Sequence, residues 1–350
     1  MKRKVLVVGT SPYTRGGITS VISAHKTTKF WKYWNCYWLV THVDRSIVIK
    51  IFYLLRGLLD FNFRIPFAKM VHIHFSESVS IQRKLIFFKI AKFWRKPIII
   101  HFHAFSIETT LKGKKSNLYS YFFKNSDKVV VLSNQWKKWV INTIEIEQDN
   151  VVVIPNPCPL VNTDESLRQK IILYAGTLNE RKGYEDLIRA FAKVANKYSD
   201  WKLVFAGNGE IENGKIVAQD LGITSQIDFL GWVNGNEKTE QFKTASIFCL
   251  PSYAEGFPMA VLDAWAYGIP VITTPVGGIP DVAIPNENML IFKPGDINEL
   301  ANHLEELIIN EKLRKKLASA SKDLSENQFS LRNINNLCNR LYFETFLGLN

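Results

Sequence analysis

Apolar residues fall in short blocks along this chain, and most blocks stop at a glycine, a proline or a polar cluster. Val5–Gly9 is apolar throughout and ends at a glycine, the pattern of a parallel strand buried on both faces. Comparable runs recur at residues 38–42, 71–75, 97–103, 127–132 and 151–157. Segments with helical spacing separate them, and residues 46–59 are the most densely apolar of these. The alternation then restarts. Strand-like runs at 171–176, 201–207, 226–230, 246–250 and 271–274 are interleaved with helix-like runs, among them 184–197 and 259–267. Helices are predicted over 298–310, 311–324 and 331–346. Alternation of this kind, met twice, predicts an α/β protein of two doubly wound units. Pro157, Pro159 and the polar residues 161–169 predict a hinge, dividing the chain into 1–160, 161–327 and a terminal segment 328–350.

Bulk properties agree with two folded domains. The chain has 350 residues, 47% apolar and 22% charged, as in ordinary globular proteins. Cys36, Cys158, Cys249 and Cys338 are scattered without a C-x-x-C pair, which argues against zinc and disulfides and fits a reducing cytoplasm. The start Lys2-Arg3-Lys4 imitates a signal peptide, but the apolar run behind it is far too short. No uncharged apolar stretch approaches the roughly 18 residues of a membrane span. Charge is unevenly spread: residues 1–155 carry +17 and residues 156–350 carry −5, within a net +12. Six of the nine tryptophans also lie in the basic part. An anionic membrane or nucleic acid would suit that half, and no aromatic-basic nucleic-acid motif supports the second.

The densest chemistry lies in residues 251–275, PSYAEGFPMAVLDAWAYGIPVITTP. Glu255 and Asp263 have seven residues between them, with Gly256, Phe257 and Pro258 leading into a helix. Free N–H groups at a helix start can hold a phosphate, a nearby carboxylate can accept from sugar hydroxyls, and a second one along the helix can reach a ribose. Elsewhere, Gly16-Gly17 precedes a helix after the first strand, and strand-like runs end in His74 and His103, where open α/β sheets bind ligands. Lys182-Gly183 offers a point charge at a helix start, with Arg181 beside it. Gly207-Asn-Gly209 lacks a glycine at position 212 and so is weak evidence for a dinucleotide. No cluster of histidine, cysteine and carboxylate has metal-ligand spacing, so no metal is expected.

Residues 251–275 resemble the signature of the retaining glycosyltransferases of family four, which have the GT-B fold. The family reads EGFG…EAMA.G.PV; here it is EGFP…LDAWAYGIPV, with Asp263 at the second carboxylate. The resemblance is specific over residues 171–281 and loose over residues 1–160. It implies two Rossmann-like domains facing a cleft, 1–160 for the acceptor and 161–327 for a nucleotide-diphosphate sugar, with 328–350 crossing back to the first. It implies retaining, metal-independent transfer to a lipid-linked or other glycan acceptor in bacterial-type surface polysaccharide synthesis. The nucleotide-sugar is then a substrate, and no cofactor is expected.

Residue by residue, the resemblance gives the catalytic set Glu255, His103, Lys182 and Arg181. His101 has the same local look as His103, and Ala104 stands where the family has Gly or Asp. Thr177 replaces the family's phosphate-binding Arg, so Arg181 is the candidate substitute. Donor contacts are implied for Gly17, Gly16, Gly207, Gly209, Trp232, Val233, Gly256, Phe257, Pro258 and Asp263. Asp281 stands where the family has Glu. These departures keep open a non-catalytic nucleotide-sugar-binding relative or partner subunit; an epimerase of the same fold is a third reading.

Residues 80–96, SIQRKLIFFKIAKFWRK, are expected to dock on an anionic membrane, making the protein peripheral at the inner face of the membrane. At about 100° per residue, Lys84, Lys89, Lys92, Arg95 and Lys96 share one face with Leu85 and Phe88. Ile86, Phe87, Ile90, Phe93 and Trp94 are expected to pack on the sheet.

Overall fold

The structure is a computed structural model and describes residues 4–348. Lys2 and Arg3 of the basic start lie outside the described residues. The chain forms two units: one runs to Pro157 and takes back the segment from Leu331 onward, and the other is Cys158–Ser330. The breaks therefore fall at Pro157 and Ser330, not at residues 160 and 327.

The first unit is a six-stranded parallel sheet. Its strands are β1 (Val5–Gly9), β2 (Cys36–Val40), β3 (Met70–Phe75), β4 (Ile98–Phe102), β5 (Lys128–Val131) and β6 (Val151–Val153), in the order β2-β1-β3-β4-β5-β6. Helices α1 (Gly17–Lys26), α2 (Lys29–Tyr33), α3 (Ile47–Arg64), α4 (Ser78–Phe93), α5 (Ser116–Lys124) and α6 (Asn134–Ile144) link them. Both faces are buried because alternate residues of each strand feed two separate cores. Leu6, Val8, Val71 and Ile73 pack with Phe61, Phe87 and Phe88 on one face. Val5, Val7, Met70 and Ile99 pack on the other with Trp34 and with Ile334, Cys338, Leu341 and Tyr342 from the far end of the chain.

The second unit repeats the plan. Strands β7 (Ile171–Ala175), β8 (Lys202–Ala206), β9 (Ile227–Gly231), β10 (Ile247–Leu250), β11 (Val271–Thr273) and β12 (Leu290–Ile291) stand in the order β12-β11-β10-β7-β8-β9. Its helices are α7 (Tyr184–Ala195), α8 (Ile211–Asp220), α9 (Gly235–Thr244), α10 (Met259–Ala266), α11 (Ile297–Ile309) and α12 (Glu311–Glu326). The last helix, α13 (Leu331–Leu347), belongs to the first unit, where Trp34 Nε1 donates to Asn339 Oδ1 at 2.7 Å. Strand order reverses between β1 and β3 in one sheet and between β7 and β10 in the other. Crevices at the C-terminal ends of such strand pairs are where open α/β sheets take ligands.

Helix α4 corrects the expectation for residues 80–96. Lys84, expected outside, is fully buried and its ammonium bonds the Thr41 hydroxyl. Phe88, also expected outside, is fully buried beside Phe87 and Ala91. Ile86, Phe93 and Trp94, expected on the sheet, are 45%, 83% and 42% exposed. The buried stripe is 84, 87, 88 and 91, a helical period rotated from the one that the lysines suggest. One lysine carries the discrepancy: its stem lies in the core, and burial holds its ammonium well below the usual lysine range.

Candidate functional site

In the second unit, the ends of β7 and β10 bring three of the predicted residues, Arg181, Lys182 and Glu255, into one place. After β7 the chain makes a single tight turn, Glu180–Lys182, which Asn179 caps by accepting from the Lys182 amide at 3.1 Å. Gly183 follows with φ 65°, and a side chain there would sit 2.2 Å from the Pro251 carbonyl. Only glycine lets the turn close onto the end of β10. Tyr253 N then donates to Arg181 O at 2.8 Å, and Arg181 Nη1 donates to Ala254 O at 2.6 Å. The loop leading to Glu255 is thus fastened to the turn that carries the two cations.

Glu255 is 8% exposed. Its Oε1 takes the Lys182 ammonium and accepts from Ser252 Oγ at 2.9 Å, and its Oε2 lies 3.6 Å from Arg181 Nη1. Arg181 and Lys182, though adjacent in sequence, therefore address the same carboxylate. Two cations against one anion leave a net positive charge in a largely buried setting, which suits a polyanionic ligand. Tyr174 lies behind the carboxylate; burial and the nearby Glu255 charge push its phenol well up, and its hydroxyl donates to the Thr177 carbonyl at 3.0 Å. Ser252 and Tyr174 were not foreseen, although Ser252 sits only three residues before Glu255.

Beyond Glu255 the predicted donor residues divide. Phe257 is buried, its ring 5.0 Å from Phe329 and 6.1 Å from Trp265, so its side chain belongs to the core. Pro258 precedes α10, whose first turn no side chain caps. Asp263, on α10, pairs with Lys238 of α9, the ammonium 2.6 Å from Oδ2; burial raises the carboxyl's pKa against the lysine's opposing pull. This pair ties α10 to the segment after β9 that carries Trp232 and Val233, the first half-exposed and the second buried. Gly207 and Gly209 line a close crossing of backbones. A side chain on Gly207 would fall 1.7 Å from the Gly176 carbonyl, and Leu178 bridges to Gly209. Asp281 lies in a short turn, Ile279–Asp281.

The first unit holds the remaining candidates. Gly16 and Gly17 are exposed at the start of α1, Gly16 with φ 134° and no capping side chain. His72 and His74 on β3, and His101 and His103 on and just past β4, project from the same sheet face. His74 Nδ1 and His103 Nε2 share a hydrogen bond at 3.0 Å, and His72 Nδ1 and Tyr342 Oη share one at 2.7 Å. His103 is the outermost of the four, while neither ring nitrogen of the buried His101 has a partner. Burial holds all four imidazoles neutral, His72 and His103 down to about 3. Ligand atoms of His72, His74 and His101 lie within 4.8 Å of one another. Their rings, however, stack 4.4 to 5.4 Å apart at interplanar angles of 3° to 30°. A metal lies in the plane of each imidazole at about 2.0–2.1 Å, and stacked planes do not converge on such a point.

Comparison with known proteins follows the same division. Residues 48–161 match the family described as Glycosyltransferase Family 4, and residues 162–324 match Glycosyl transferases group 1. An uncharacterised glycosyltransferase of Haemophilus influenzae is 31% identical over 204 residues, 57% of this chain and 57% of that protein. The lipopolysaccharide core biosynthesis glycosyltransferase LpsE of Rhizobium meliloti is 32% identical over 162 residues, 46% of each. The chain thus spans about half the length of these relatives. Among solved structures, HepE of Anabaena in complex with UDP-glucose superposes with a TM-score of 0.77 at 16% identity, covering 97% of this chain and 99% of that one.

Proposed function

This chain belongs to the GT-B glycosyltransferases that join a family 4 domain to a group 1 domain, and we propose that it transfers a sugar, with retention, from a nucleotide-diphosphate sugar to a glycan acceptor. The observation that carries the reading is the Glu255 carboxylate held by Lys182, Arg181 and Ser252 at the strand-order reversal of the second sheet. When the glycosidic bond breaks, charge develops on the departing diphosphate. Lys182 and Arg181 are already fixed in place to receive it, with no reorganisation at the moment of reaction. The uncapped amides of the α10 first turn add N–H donors for phosphate oxygens.

Glu255 takes the role of acceptor for sugar hydroxyls, not of nucleophile. Both of its oxygens are engaged by cations, which lowers their nucleophilicity. Within the first unit, His103 carries a neutral imidazole, able to donate or accept a hydrogen bond. No step calls on a metal. The similarity to a lipopolysaccharide core enzyme and the +17 of residues 1–155 favour a lipid-linked acceptor presented at the inner face of a membrane. Among the described residues no helix is long and apolar enough to cross one.

The test is a thermal-shift panel of UDP-, GDP- and ADP-sugars, followed by separate assays of donor hydrolysis and transfer. A donor that binds the fold raises its melting temperature, and transfer of that sugar with the anomeric configuration kept is the expected result. A second reading, a binder without turnover, is favoured by Asp263, whose carboxylate is already occupied by Lys238. Donor binding with neither hydrolysis nor transfer would establish it.

A further inference from the structure

Helix α3 turns its apolar side to solvent. Gly57 and Phe61 face the core, while Ile47, Val48, Ile51, Phe52, Leu55 and Leu59 are each more than half exposed. Phe63 continues the stripe at 76% exposure, and Phe67, in the turn that follows, adds a second exposed ring. Scattered exposed apolar residues are ordinary, but a helix apolar over its outward arc is not.

Cations gather at the aromatic end of the stripe. The Lys4 ammonium lies 5.9 Å from the centre of the Phe67 ring, and Lys96 Nζ donates to Pro66 O at 3.1 Å. Burial, and after it the charge of nearby Lys69, lowers the pKa of Lys96. Exposed Phe93, Trp94 and Arg95 immediately precede Lys96 in sequence. The one acid within α3, Asp60, is paired with Arg64, and Asp44 just before the helix is paired with Lys50.

We infer that the α3 stripe, with the Phe67–Lys96 cluster at its end, is the surface by which this protein lies on an anionic lipid bilayer. An apolar arc enters the acyl boundary, aromatic rings sit at headgroup depth, and lysines meet lipid phosphates: this is the composition of an interfacial helix. A protein partner would be matched by the apolar arc alone; the unopposed cations around the rings select a surface of phosphates. The inference rests on the proposal of a membrane-borne acceptor and moves the contact from residues 80–96, where the sequence had suggested it, to α3, keeping only the Lys96 end of that stretch.

The experiment is co-sedimentation of the full chain with phosphatidylcholine vesicles, with and without phosphatidylglycerol, at low and high salt. Binding is expected only with phosphatidylglycerol and should weaken with salt. The double substitution Leu55→Glu, Leu59→Glu, at fully outward positions, should reduce it by about tenfold or more. Lys69→Glu should weaken it and flatten its salt dependence, and Lys89→Glu should change it little. No binding by the unaltered chain, or unchanged binding by the Leu55, Leu59 variant, overturns the inference. So does self-association in light scattering that the same variant abolishes, which would assign the face to a second copy. Donor hydrolysis should be equal in the variant and the unaltered chain. Vesicle binding by a chain that hydrolyses and transfers no donor would refute the enzymatic proposal and leave this surface standing.

Discussion

Lys238 Nζ and Asp263 Oδ2 stand 2.6 Å apart, joining the polar α9 to the buried α10. The carboxylate is largely buried and the lysine stem half-exposed. Lys238→Met strips the counter-charge from that carboxylate and should cost about 1–2 kcal/mol of stability at neutral pH. An acid whose folded pKa is raised destabilises the fold as pH rises through the interval between its unfolded and folded values. The loss should therefore shrink on acidification towards about pH 4.5, near the ordinary carboxylate range. Urea denaturation of the variant and the unaltered chain at both pH values checks this. An equal loss at both would mean that the lysine acts by packing.

Glu255→Gln keeps size and the contact with Ser252 and removes charge. Transfer should fall by about tenfold to a hundredfold, the worth of one charge-assisted hydrogen bond of about 1.5–3 kcal/mol. Nucleotide affinity, measured by calorimetry, should change far less. Undiminished turnover would dismiss the carboxylate from the reaction.

Arg181 has two tasks, since the same Nη1 faces Glu255 and holds the Ala254 carbonyl. Arg181→Lys preserves charge but cannot span both, and Lys182→Met removes charge outright. Lys182→Met should lower kcat/KM by about tenfold or more through loss of diphosphate stabilisation. Arg181→Lys should also make the loop before Glu255 exchange its amides faster. If Arg181→Lys slowed turnover with no change in exchange, charge placement alone would explain it.

Protonation bears on the stacked histidines. His72 and His103 titrate near 3 in the fold, against about 6.5 when unfolded. Between those values the unfolded chain binds more protons. Stability is complete above about pH 6.5 and is lost as pH falls towards 3, with each histidine costing about 1 kcal/mol by pH 5.5. Urea midpoints at pH 7.5 and 5.5 should differ accordingly. His101→Leu, which removes two ring nitrogens without partners, should raise the midpoint and reduce the difference. A flat profile would mean that the cluster takes up protons while folded.

Stacked rings and the absence of metal-ligand spacing in the sequence lead to one more expectation. Transfer after exhaustive EDTA treatment should equal that of untreated protein. Loss restored by manganese or magnesium would contradict it.

Much of this architecture was readable beforehand. Eleven of the twelve strands among the described residues fall on runs that the sequence marks as strand-like, the two-residue β12 being the exception, and Glu255 and Lys182 sit in motifs dense enough to align. What escaped depended on contacts between distant segments. Lys238 meets Asp263 at a sequence separation of 25, and nothing in the polar α9 marks Lys238 over Lys243. The sequence reading took His74 and His103 singly, as residues at strand ends, although alternation along a strand sets His72 beside His74 and His101 beside His103. Only the pairing of β3 with β4 brings the two sets together. Lys84 misled because a charged residue is expected outside, and that one residue turned the reading of α4 around its axis. The joint reach of Arg181 and Lys182 was left open by the sequence and depends on the tight turn of Glu180–Lys182.

The first unit opens the chain yet is closed by its last helix, and this sets an order of assembly. As the polypeptide is made, all of Cys158–Ser330 has emerged before Ile334, Cys338, Leu341 and Tyr342 exist. The unit that comes second in sequence can finish first, reversing the usual progression from the N-terminus. Until α13 arrives, Val5, Val7, Met70 and the histidine face of the opening sheet have no cover from it. A nascent chain cut short before Leu331 therefore displays an apolar sheet face to chaperones and proteases, and only a product translated through α13 conceals it.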